Sequence, residues 1–163
     1  MSIGRRSLVI ILISVVVGLA AAGAALWVEE RKFVPPISPD DPRQVTLGAA
    51  VYAARCAQCH GANLEGQPNW QQRKANGRLP APPHDASGHT WHHPNEALFD
   101  ITKNGMTPYA PAGYESDMPA FGDVLTDEQI AAALAFIESR WPASIRAQHA
   151  RIDAQASDRD LTP

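Results

Sequence analysis

Cys56-Ala57-Gln58-Cys59-His60 decides how the rest of the chain is read. The spacing is C-x-x-C-H, the pattern of covalent haem attachment. Two thiols one helical turn apart can each add to one vinyl group of the same porphyrin. The histidine that follows directly then lies over the iron and offers it an imidazole nitrogen. The chain has 2 cysteines, both in this motif, so no disulfide framework competes for them. A thioredoxin-like redox pair would need a βαβ pattern around it, and none is visible. A structural zinc site would need four Cys or His ligands, usually in two pairs. The expectation is one covalently attached haem c, with Cys56 and Cys59 as attachment points and His60 as an iron ligand.

The 163 residues suggest one ordinary domain plus extras. Hydrophobic residues make up 45% of the chain, but many of them sit in one block at the start, and aromatics are only 7%. A core made of protein alone would be small, and a buried haem would supply the missing apolar volume. The net charge of −3 gives no case for nucleic acid binding. Residues 7–28 carry no charge. As a helix they would span about 30 Å, enough to cross a bilayer. Arg5 and Arg6 precede the block, while the charges of Glu29, Glu30, Arg31 and Lys32 cancel after it. The positive-inside rule then places residues 1–6 in the cytoplasm. The competing reading is a cleaved signal peptide, for which Ala20 to Ala25 offers small residues. The length of the apolar run and Trp27 at its end favour a retained single-pass anchor in the inner membrane. Arg5-Arg6 is only a partial match to a twin-arginine signal. Anchor and signal alike send the rest of the chain to the periplasm, where bacteria attach haem.

Residues 29–43 read as a linker, because Phe33 to Pro42 holds four prolines and no periodicity. Residues 44–152 read as the haem domain and 153–163 as a disordered polar tail. Asp41 and Pro42 suit the start of a first helix, which runs straight into Cys56. Gly48 and Tyr52, four apart, suit a tight helix crossing. Gly61 to His93 is rich in glycine and proline, and a loop that long is usually functional or wrapped around something. His84, His89, His92 and His93 cluster near its end around Trp91. They read as an exposed loop, with an imidazole or the indole N–H available to a haem propionate; a second metal site or an alternative iron ligand is the other reading. Pro94 to Lys103 is a second helix, stopped by Gly105. Thr126 and Gln129 form a capping box for a third, with an apolar stripe of Ile130, Ala133, Leu134 and Ile137. Trp141-Pro142 breaks it, and Ser144 to Ile152 could form one more.

A six-coordinate iron needs a ligand opposite His60. Met118 is favoured, because Pro119 restricts it to an extended backbone and the capped helix begins soon after. Met106, directly after Gly105, is the rival. With CAQCH, EALFDITKNG preceded by GHTWHHP, DMPAF and a capped last helix ending at Trp141, the chain resembles a class I c-type cytochrome of the small bacterial monohaem kind. The resemblance covers roughly Val45 to Trp141. It implies an all-α, cytochrome c-like haem domain with long loops, here preceded by one N-terminal transmembrane helix. It also implies that the first and last helices cross nearly at right angles, with Gly48, Tyr52 and Phe136 at the contact. The function it implies is an electron carrier, not an enzyme, with His60 and Met118 as the two axial ligands. The partners it implies are a quinol–cytochrome c oxidoreductase, a terminal haem-copper oxidase or a periplasmic dehydrogenase. Two alternatives stand beside it: an open-site haem sensor or enzyme subunit, and a copper-linked redox protein using the segment from His84 to His93.

Overall fold

The computed structural model describes residues 34–160, and the expected transmembrane anchor at residues 7–28 lies outside the described residues. Among the described residues there are five α-helices and no strands: α1 Pro42–Arg55, α2 Ala57–His60, α3 Asn95–Asn104, α4 Asp127–Ser139 and α5 Ala143–Asp160. Single 3-10 turns lie at Thr90–His92 and Thr107–Tyr109. None of the described helices is long and apolar enough to cross a membrane.

The helices start where local chemistry directs. Asp41 caps α1 by accepting from the Arg43 N–H at 2.9 Å, and Pro42 occupies the first turn, where its missing N–H costs nothing. The capping box on α4 forms in full: Thr126 Oγ1 accepts from Gln129 N at 3.3 Å, and Gln129 Oε1 from Thr126 N at 2.9 Å. Pro94 serves as the N-cap of α3, one place earlier than its expected first helical position.

The core is the packing of α1 on α4, with α3 against α4. Nothing but hydrogen fits at Gly48, since a Cβ there would overlap the Ala132 carbonyl oxygen. Two helix backbones therefore approach closely at that point, and Tyr52 meets Phe136 beside it with ring centroids 5.3 Å apart. Helix α4 is buried almost all round, because Ala131, Ala132 and Ala135 are covered along with the apolar stripe. Their short side chains let neighbours close on every face.

Two segments differ from the sequence reading. The chain from Val34 is docked rather than a free tether. Val34 and Ile37 pack on the core, Ser38 N donates to Gln44 Oε1 at 2.7 Å, and Gln44 Nε2 donates to Pro36 O at 2.8 Å. A proline-rich strand carries few N–H groups to satisfy, so one glutamine suffices to hold it. At the other end α5 continues to Asp160, through much of the stretch read as a disordered tail. After Ile145, which packs on the core, it is held by polar contacts: His149 Nε2–H donates to His93 O at 3.0 Å, and Asp153 accepts from Asn95 N at 2.7 Å.

Candidate haem-attachment site

Helix α1 delivers the motif. Its ladder continues across the joint, with Cys56 N donating to Tyr52 O at 2.9 Å and His60 N to Cys56 O at 2.9 Å. Cys56 and Cys59 are therefore one turn apart on a single helical path. The Tyr52 hydroxyl donates to Gly61 O at 2.9 Å and ties the buried face of α1 to the turn after His60. Gly61 leaves the helix at φ 82°, a conformation that a side chain would resist. Both thiols are free, and burial, with Cys59 beside it, pushes the Cys56 thiol up to about 11. A dithiol redox centre needs the opposite shift, since its attacking sulfur must be a thiolate.

His60 is buried at 7% exposure, and its Nδ1 lies 2.9 Å from Pro82 O. A carbonyl can only accept, so Nδ1 carries the proton and Nε2 keeps its lone pair. Burial also lowers the pKa of His60, more than the Pro82 bond raises it, which keeps the ring neutral. This is the state in which imidazole binds metal, with the second bond fixing tautomer and orientation.

Beneath it lies a residue whose place the sequence did not reveal. The His84 ring stacks on His60 with centroids 4.0 Å apart and planes 21° apart, and its Nδ1 lies 2.8 Å from Thr90 Oγ1. Burial, with His60 and His89 nearby, holds His84 well below the usual histidine range. Two contacts fix this stretch. Leu64 O accepts from His84 N at 2.8 Å, and to do so Leu64 adopts φ 71°, a left-handed strain compensated by burying its side chain. Trp141 Nε1 donates to His84 O at 2.7 Å from the end of α4. Trp141→Phe is therefore expected to cost about 1–2 kcal/mol, the price of one buried hydrogen bond, measurable as a lower urea midpoint.

The clustered histidines have different stacking partners: His84 stacks on His60, His89 on Trp70 at 5.3 Å with His93 edge-on to it at 5.5 Å, and His92 on Trp91 at 3.6 Å. Among the described residues no three His, Cys, Asp or Glu side chains are placed to hold a metal ion.

Met118 sits half-buried on the loop between Ala110 and Gly122, its N–H donating to Ser116 Oγ at 3.0 Å. The loop returns to the fold at Phe121 N→Thr102 O (3.0 Å) and Gly122 N→Lys103 O (2.9 Å). Met106 instead opens the 3-10 turn after α3, where its carbonyl accepts from Tyr109 N. No hydrogen bond or ring contact links Met118 to the motif, so CAQCH is brought together by one helix and Met118 belongs to a separate loop.

The donor set fits haem c: two free thiols one turn apart, a neutral imidazole with Nε2 available, and an orphaned donor. The orphan is Trp91 Nε1, buried without an acceptor, and a propionate is the kind of group that would satisfy it. A family model described as "Cytochrome C oxidase, cbb3-type, subunit III" matches residues 43–137. Comparison with curated proteins and with solved structures gives no match. The match covers more than half of the chain and takes in α1, CAQCH, Pro82, DMPAF and nearly all of α4. With covalently attached haem c as its cofactor and electron transfer as its work, the chain belongs to this cytochrome c family and is a class I c-type cytochrome.

Proposed function

We propose that the protein is a tethered single-electron carrier in which His60 and Met118 would hold the haem iron. The observation that carries this reading is the His60 ring, held neutral on Pro82 O with Nε2 free. Haem c, when bound, supplies a ferric–ferrous couple. Cys56, at the N-cap of α2, and Cys59 within it would hold the group covalently, so it would not exchange. His60 would offer a nitrogen of set orientation, and Met118 a soft thioether, which favours the ferrous state and raises the potential. With both side chains as ligands in either oxidation state, little would rearrange when an electron passes.

Residues 7–28 anchor the domain in the inner membrane and hold it on the periplasmic side. Residues 29–43 link the anchor to the domain, and from Val34 onward this linker is docked on the domain. Tethering raises the effective concentration of the carrier at a neighbouring membrane complex. The matching family's description names an oxidase subunit, which favours a terminal haem-copper oxidase over the other two partner classes as electron acceptor.

Met118→Ala tests the ligand. The weak far-red charge-transfer band of a thioether-ligated ferric haem is expected in the wild type and lost in the variant. The potential is expected to fall by on the order of 100 mV, within the roughly 0.8 V range that axial ligands set. A variant that keeps the band and the potential would rule Met118 out, and the same measurement on Met106→Ala would then identify the rival.

A further inference from the structure

Two loops far apart in sequence are joined by charge. Arg78 spans two acids, with Nε and Nη2 on Glu115 Oε2 at 3.1 and 2.8 Å and Nη1 on Asp117 Oδ1 at 2.6 Å. Lys74 Nζ takes the other oxygen of Asp117. Arg73 lies over the Tyr114 ring, 5.5 Å from its centroid. The cationic loop is built to present these groups: Lys74 N donates to Arg78 O, Gly77 N to Lys74 O, and Arg73 Nη1 to Gly77 O. Between the loops lies an open cleft of about 370 Å³, lined by Arg73, Gly77, Tyr114 and Glu115 among others. The ion pairs and one cation–π contact join residues 73–78 to residues 114–117.

Asp117 directly precedes Met118, and the loop that bears Met118 has no helix or strand of its own from Ala110 to Gly122. We propose that residues 73–78 form an ionic strap that positions Met118, and that the strap keeps small neutral ligands out of the sixth iron position. This rests on the reading of Met118 as axial ligand. Single exposed ion pairs contribute little, but a guanidinium shared by two carboxylates, one of them shared in turn with a lysine, is the networked case in which they count. A loop held in part by exposed ion pairs also loosens as salt rises. The strap belongs to the long insertion after CAQCH, which thereby has a task beyond covering haem: it separates a closed electron carrier from an open, ligand-binding haem.

The test uses the full haem-loaded protein in its ferric form and free imidazole at a pH well above the imidazole pKa, so that the probe is uncharged. Imidazole binds only when Met118 has left, so its apparent affinity reports the fraction of open loop. Lys74→Gln combined with Arg78→Gln is expected to bind imidazole about tenfold more tightly than the wild type, equivalent to about 1.4 kcal/mol of loop closure. Wild-type affinity should rise with salt, while that of the double variant should hardly change. Arg78→Lys should fall between them, and Arg140→Gln, which removes an exposed charge outside the strap, should match the wild type. Affinity in the double variant within twofold of wild type, or an equal salt dependence, would overturn the strap while leaving Met118 as ligand. Absence of the far-red band from the wild type would overturn both.

Discussion

Gly48→Ala is expected to destabilise the protein by about 2 kcal/mol, and Gly48→Val by about 3 kcal/mol or more. The sign is the informative part. Inside a helix, glycine is normally worse than alanine by about 0.5–1 kcal/mol, so the substitution should help if only α1 mattered. Here the added Cβ meets the carbonyl oxygen and carbon of Ala132 and the Cβ of Phe136. Two of those three atoms are backbone and cannot rotate aside, so α1 and α4 must separate. Separation loosens Tyr52 from Phe136 and shifts the end of α1 that carries Cys56. A loss of 3 kcal/mol is a large part of the roughly 5–15 kcal/mol that holds a domain together. Denaturant unfolding of the haem-loaded proteins would measure it, alongside the yield of covalently attached haem. A Gly48→Ala variant more stable than wild type would refute the close crossing.

What the sequence disclosed, and what it hid, divides along the range of the interactions. CAQCH, the Asp41 cap and the Thr126–Gln129 box are encoded within five residues, and each could be read directly. Gly48 and Tyr52 gave the crossing through residue size at helical spacing. The partner of His60 could not be read, because Pro82 is one of 14 prolines and contributes only a carbonyl from 22 residues away. His84 was hidden among neighbours of the same type, and only the fold sets it under His60 while His92 stays outside. The strap was hidden for another reason: Lys74 and Arg78 meet their acids 37 to 43 residues later, and isolated surface charges carry no periodic signal. Helix α5 packs Ile145 on the core at its start and then turns His149 and Asp153 inward. A hydrophobicity pattern therefore ends before the helix does. The readings that needed correction share that feature: polar groups bind a segment to the fold where apolar side chains would ordinarily announce it.

Beside those polar groups lies a carboxyl, Glu138, whose contribution to stability falls as pH rises. Glu138 is 6% exposed on the inner side of α4, and one of its oxygens has no hydrogen-bond partner. Burial, reinforced by the negative charge of Asp153, pushes its carboxyl up to about 8, against smaller pulls from Asn95 and Arg146. His149, whose Nδ1 lies 4.0 Å from Glu138 Oε2, offers no positive charge to offset this, since burial lowers its own pKa and its Nε2 proton is committed to His93 O. The folded pKa is raised above the unfolded value of about 4.5, so the folded state holds this proton more tightly. Its stabilising contribution is complete below about pH 4.5, declines as pH rises, and is gone above the folded value near 8. The change amounts to about 3–5 kcal/mol at 1.36 kcal/mol per unit. Glu138→Gln keeps the shape and cannot ionise. Subtracting its unfolding free energy from the wild-type value at each pH cancels the histidines remote from Glu138, leaving the titration of Glu138 together with its neighbour His149. The variant should be close to wild type at pH 4 and more stable by several kcal/mol at pH 9, with the difference opening between these limits. Parallel stability curves from pH 4 to pH 9 would show that Glu138 is ionised in the folded protein across the whole range, and the buried network beneath α5 would then be an ion pair with His149 rather than a neutral one.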